Sequence, residues 1–294
     1  MPSTVTQRPI PHRPVHARRL AFDYGPEELP RHYVSGDLAM SHIVSMLSSV
    51  FPEGEDFFVH SVRNFRDQIT DPELRSQVAG FIGQEAMHGR GHREFNDRLD
   101  KMGYPTRLVD RITGMGLRLA EKVLPKSVQL AITAALEHYT ATLAEVLLTH
   151  EDARALLDVE EVRSLFVWHA LEESEHKAVA FDVYQTVSGR HWVRVGVMNL
   201  TTLGFLLGIA AAGLLSLVED PVARRHPGAA LRSIWHLRHS PWIAPGVVRR
   251  IRDYNRRDFH PDDYDNRELT ADWCERLFGP GGSLQDRVWS AGAA

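Results

Sequence analysis

Residues 169–184 read HALEESEHKAVAFDVY. His169, Glu173 and His176 stand at i, i+4 and i+7. At about 100° per residue these three fall within about 60° of one another on a helix. Their neighbours Trp168, Ala170 and Leu171 are apolar, so this polar row faces a core. Glu173 and His176 form an E-x-x-H pair, and His169 lies one turn before it.

Upstream, GQEAMHGRGH holds a second such pair, Glu85 and His88, with His92 one turn further on. Two single acids lie in apolar settings on other helices: Glu55 in FPEGEDFF and Glu137 in AALEHYTA. The chain order is therefore Glu, E-x-x-H, Glu, E-x-x-H. One E-x-x-H on its own is more often an exposed polar face. Two pairs interleaved with two acids, all beside apolar residues, must be buried together, and unpartnered buried acids are costly. This is the ligand set of ferritin-like dinuclear carboxylate bundles. Four carboxylates offset the charge of about +4 on two divalent ions. The i, i+3 spacing brings an acid and an imidazole to one pocket, and oxygen and imidazole donors suit iron or manganese.

Some assignments stay open at this level. Glu53 competes with Glu55, and Glu172 competes with Glu173. Glu175 points to solvent or a salt bridge. His138 lies about 100° from Glu137 and is not expected to ligate. His92 is either a further ligand or a hydrogen-bonding support, and Tyr139 and Tyr184 are candidates for support or pocket lining.

The helical pattern surrounding these motifs predicts an all-α protein: a ferritin-like four-helix bundle with extra N- and C-terminal helices. Asp37 reads as an N-cap, Asp71 as another with Pro72 at the first helical position, and Gly103 as a stop. Pro52 and Gly54 read as an interruption. One helix is expected from about 160 to 188. No strand alternation or hairpin signal is present. The expected organisation is an extended arm (1–34), the di-metal bundle (35–190) and a C-terminal helical extension (191–294). Within the extension, 195–218 carries no charge over 24 residues. That length could span a bilayer. It could also form a pair of buried helices, one helix covering the bundle, or a surface docked on a membrane.

FPEGEDFFVHSVRNF, GQEAMHGRGH, LEHYTA, WHALEESEHKAVAFDVY and the late DFHP together resemble the bacterial family of predicted metal-dependent hydrolases, over about residues 19–273. That family's name implies little mechanism. The ligand pattern alone also resembles the di-iron aryl-amine N-oxygenases, whose last metal helix carries H-x-x-x-E-x-x-H. That second resemblance implies metal ligation by Glu55, Glu85, His88, Glu137, His169, Glu173 and His176, with Glu85 and Glu173 bridging.

The leading expectation is an O2-activating oxygenase or oxidase holding two iron ions, manganese or zinc being the alternatives. Its partners would be a small or hydrophobic substrate, dioxygen and an external electron donor or reductase, because no flavin or nicotinamide fingerprint is present. The alternatives are hydrolysis of an ester or phosphoester by a metal-bound hydroxide, and non-catalytic iron handling or a membrane-associated metalloprotein. The 294 residues carry a net charge of −4, so nucleic acid is not an expected partner. A single cysteine, Cys274, excludes an internal disulfide and a thiolate metal site and fits a reducing compartment. The N-terminus lacks a secretory pattern, and a cytoplasmic location is expected, with membrane-surface contact through 195–218. A homodimer is compatible with all of this.

Overall fold

The computed structural model describes residues 10–24 and 29–289. The first part of the expected arm (1–9), the segment 25–28 and the last five residues lie outside that range. The helices in chain order are α1 (Leu38–Arg63), α2 (Pro72–Lys101), α3 (Thr106–Val123), α4 (Lys126–Thr149), α5 (Glu151–Leu156) and α6 (Glu160–His176). They continue as α7 (Val179–Val187), α8 (His191–Glu219), α9 (Pro221–Arg225), α10 (Pro227–His236), α11 (Pro245–Asp253) and α12 (Arg267–Phe278). Among the described residues there is no strand, only one bridge between Leu20 and Val288. The fold is all-α. α1 packs on α2, and α4 on α6 and α7, to make the bundle.

The start signals act as their chemistry dictates. The Asp37 carboxylate accepts from the Met40 amide at 2.8 Å and Asp71 from Leu74 at 2.9 Å, each taking up a donor that a helix start leaves free. Gly103 stops α2 at φ +89°, a conformation open to glycine.

α1 departs from expectation, for it runs unbroken through Pro52. A proline lacks the N–H that would bond the carbonyl four residues back, here Ser48. The Asn96 side-chain amide of α2 donates to Ser48 O instead, at 2.9 Å. A second departure lies after His176. The helix expected from 160 to 188 breaks at Lys177 and Ala178 and restarts as α7. No glycine or proline marks the break. Lys177 at the turn is buried, donating to Tyr264 O and lying 3.6 Å from Glu145. A tertiary tie thus overrides the local pattern.

Two apolar layers fill the bundle. One contains Met46, Phe95, Leu99, Leu147, Leu165 and Leu171. The other contains Phe57, Val62, Phe81, Leu130, Ala134 and Val183. On α1, α2 and α4 the motif residues fall between the stretches that build the two layers, and on the α6–α7 pair Glu173 and His176 do so, with His169 at the edge of the first. The fold therefore sandwiches a polar slab between two apolar ones.

The arm lies over this body in extended form. It crosses α2 at Gly80 and Gly83, where a Cβ would sit 2.1 Å from Val15 O and 2.8 Å from Ala17 Cβ. Only glycine admits the arm so closely. The run 195–218 is neither split nor buried. It lies within the single helix α8, which packs on α1 and α4 by one face and leaves its other face exposed. α8 is long and apolar enough to cross a membrane, yet only 17% of its most apolar window is buried.

Candidate metal centre

The polar slab gathers the seven motif residues. None of Glu55, Glu85, His88, Glu137, His169, Glu173 and His176 is more than 4% exposed. His176 Nε2 lies 3.2 Å from Glu85, 3.2 Å from Glu137 and 3.4 Å from Glu173. His88 Nδ1 lies 3.9 Å from both Glu85 and Glu173. His169 Nε2 lies 2.9 Å from Glu173 and 3.8 Å from Glu55. A Cβ at Gly89 would sit 3.0 Å from Glu55 Oε2, so that glycine gives the Glu55 carboxylate its room.

Each histidine presents one nitrogen to the centre and uses the other for support. His176 Nδ1–H donates to Gln84 Oε1 at 2.9 Å, and Gln84 Nε2 donates to Glu175 at 2.7 Å. His88 Nε2–H donates to Glu172 at 3.1 Å, leaving Nδ1 for the centre. For His169 the support is a relay. Ser48 Oγ donates to Asn96 Oδ1 at 2.7 Å, so its oxygen accepts from His92 Nδ1–H at 2.8 Å. His92 Nε2 then accepts from His169 Nδ1–H at 2.7 Å. This assignment follows from the network, since a carbonyl oxygen can only accept. It leaves His169 Nε2 with its lone pair toward Glu173. Supports of this kind fix the tautomer and orientation of a metal-binding imidazole.

Three supporting groups escaped the sequence reading. Glu172, taken there as a competitor of Glu173, holds His88 and receives Arg18 Nη1 at 3.0 Å. Gln84 links His176 to Glu175. Arg18, on the arm, grips Glu175 at 2.8 and 2.7 Å as well, so Glu175 makes the ion pair open to it. Both ring nitrogens of His92 are occupied, which gives it the supporting place rather than the ligating one. Tyr139 and Tyr184 do not reach the centre: their hydroxyls donate to Thr202 and to Arg190 O, each at 2.9 Å. Glu53 pairs with Arg118 on α3 and leaves Glu55 alone in the slab. His138 binds Arg250 O, away from the centre.

Burial and mutual repulsion of the carboxylates set the electrostatics of the site. Burial, and then the neighbouring carboxylates, push Glu55 and Glu85 well above the usual carboxylate range, and Glu137 up to about 7. Burial acts against charge on His176 too, but Glu137 and Glu173 outweigh it and raise its pKa. Both carboxylate oxygens of Glu55, Glu85 and Glu137, together with His88 Nδ1 and His176 Nε2, are buried without a hydrogen-bond partner. Ligand atoms of Glu85, Glu137 and His176 lie within 4.8 Å of one another and of the hydrogen-bonded Glu173 carboxylate. Buried polar atoms are almost always satisfied, and a cluster of donor atoms that the protein itself leaves unbonded fits a bound cation. The donor set is all oxygen and imidazole, which fits divalent first-row cations.

A helical bundle with such a layer of buried glutamates and histidines is a metal-dependent protein. The chain belongs to the predicted metal-dependent hydrolase family, whose model matches residues 16–265. That span contains all seven centre residues and Arg18. No curated protein and no solved structure matches the chain. Family membership marks a metal-dependent enzyme and overturns the oxygenase or oxidase expectation, favouring its hydrolytic alternative. The reason is chemical. E-x-x-H pairs on helices supply oxygen and imidazole donors, and such donors serve a Lewis acid as well as a redox metal. Dioxygen and an external reductase are needs of the oxidative reading alone.

Proposed function

We propose that the protein hydrolyses an ester or phosphoester with the help of two divalent cations held in the polar slab. The observation that carries this reading is the convergence of the unbonded buried atoms of Glu55, Glu85, Glu137, His88 and His176, in a chain of a hydrolase family. Glu85, Glu137, Glu173 and His176 would hold one cation, and Glu55, His88 and His169, with Glu173 or Glu85 shared, the other. Such ions lower the pKa of water toward neutrality and polarise the oxygen of a scissile bond.

The chain's own residues do the rest. Four carboxylates balance a charge of about +4 and keep the slab neutral. The supports described above fix the three imidazoles with one nitrogen of each aimed inward. Thr140 donates to Glu173 Oε2 at 2.5 Å and holds that carboxylate between His169 and His176. Half-buried Phe51 meets His169 at a tilt and His92 edge-on, with ring centroids 4.9 and 4.7 Å away, and gives both imidazoles an apolar neighbour.

The test is metal analysis of the purified full chain, joined to assays with p-nitrophenyl acetate and bis-p-nitrophenyl phosphate. About two equivalents of divalent metal are expected, with hydrolysis that is lost on chelation, returns on metal addition and is absent in Glu137→Gln. Metal-replete protein that cleaves neither substrate class would overturn the reading.

A further inference from the structure

We infer that the outer face of α8, with the arginine-rich segment after it, is a docking surface for an anionic phospholipid bilayer, on which α8 lies flat. This inference is independent of the reaction in the slab.

The inner row of α8 is fixed to the body. Buried Arg194 donates to Tyr254 O and Arg256 O. Thr202 receives Tyr139, and Ser216 pairs with His42 at 2.6 Å. A span across a bilayer would tear these ties out, so this helix of 29 residues, about 43 Å long, can meet a membrane only along its side. The outer row is a continuous apolar stripe that includes Leu200, Leu203, Leu207, Leu214 and Val218, all exposed. Exposed apolar surface of this extent marks an interaction site.

Charge and aromatic placement identify the occupant. From Arg190 to Arg257 the chain carries eleven arginines, no lysine and three acids; Arg194 is buried, Arg250 pairs with Glu145 and Arg256 with Asp258, and the other eight arginines are exposed. Asp220, one of those acids, is tied to Arg31 at 2.7 Å, and Glu219 is exposed. Exposed arginines stand at both ends of the stripe: Arg190 and Arg257 at its start, Arg224 and Arg225 just past its end. Each end also carries an exposed tryptophan under an arginine. Trp192 is 72% exposed with Arg257 5.4 Å above its ring, and Trp235 of α10 is 64% exposed with Arg238 at 3.9 Å. Apolar residues between arginines, with tryptophan at the boundary, are the pattern of an interfacial helix on anionic lipid. A second copy of the chain fits less well, because a two-fold pairing of the stripe sets like-charged ends against each other.

The experiment is flotation of the full chain with vesicles of phosphatidylcholine alone, or with about a third of the lipid replaced by phosphatidylglycerol. The chain is expected to float with the anionic vesicles and to bind at least tenfold less to the neutral ones. Leu203→Glu with Leu207→Glu should cut binding by about tenfold or more. Arg224→Gln with Arg225→Gln should cut it about 25-fold, near fivefold for each arginine. Far-UV circular dichroism confirms that both variants fold. Failure to float on anionic vesicles overturns the inference, as does equal binding to neutral ones. So does a dimer on a sizing column that the leucine variant converts to monomer while the native chain ignores vesicles, for the face is then a self-interface.

Discussion

Arg18 and Glu172 meet at 3.0 Å across 154 residues of chain, and the same guanidinium holds Glu175. Through Glu172 it reaches His88, and through Glu175 and Gln84 it reaches His176. One side chain on the extended arm thus steadies two imidazoles on two helices. Arg18→Ala should weaken metal binding by about 10- to 100-fold, the usual cost of removing such support, with helix content unchanged. Arg18→Lys should rescue little, because an ammonium cannot fork onto two carboxylates. Competition with a chromophoric chelator reads the affinity; a change below twofold would remove Arg18 from this role. Gly80→Ala, which drives a Cβ into Val15 O, should lift the arm and produce a milder form of the same loss.

The Pro52–Asn96 arrangement predicts a coupling. Asn96→Ala leaves Ser48 O and Ser48 Oγ short of partners and should cost about 1–3 kcal/mol. Pro52→Ala restores a backbone donor for Ser48 O, so the double variant should lose less than Asn96→Ala alone. A double-mutant cycle by urea denaturation measures this, and simple additivity would contradict it.

On the proposed reading, removing the cations would leave four buried carboxylates facing one another. A ligand at about 1,000 times its dissociation constant stabilises by about 4 kcal/mol, which in a chain of this size is a fall of roughly 6 °C in Tm on chelation. Differential scanning calorimetry with and without chelator gives the value. An unchanged Tm would mean that the slab is stable without metal.

His42 supplies a pH dependence outside the centre. Burial, opposed by Asp220, holds its pKa down at about 4, against about 6.5 when unfolded. The folded state therefore binds fewer protons than the unfolded one between these values. Its contribution is complete above about pH 6.5, is lost as pH falls to about 4, and is constant below that. The loss is up to about 3 kcal/mol. His42→Gln should flatten the stability profile over that window in urea titrations; an unchanged slope would place the titration elsewhere.

The sequence carried the parts of this molecule that depend on local chemistry. Asp37, the Asp71–Pro72 pair and Gly103 mark helix ends by bonds made within a few residues, and each was legible. That the seven residues would be buried together was legible because each stands among apolar neighbours on a helical pattern, with His169, Glu173 and His176 lined up by periodicity alone. What lay hidden depends on distant chain. The continuity of α1 through Pro52 needs Asn96 of α2. The break at Lys177 needs Tyr264 and Glu145. The roles of Arg18, Gln84 and Glu172 need the arm laid over α2. α3, which follows Gly103 and rests on α1, had no separate place in the sequence reading.

The missing hydrogen on Pro52 sends a direction through the molecule. Because Ser48 O must find a donor, Asn96 has to turn its nitrogen that way, and its oxygen then faces Ser48 Oγ. The serine proton, the two His92 nitrogens and the His169 proton fall into line behind it. A ring residue in the first helix thereby acts as a one-way valve for polarity, choosing which edge of an imidazole on the sixth helix stays bare for a cation.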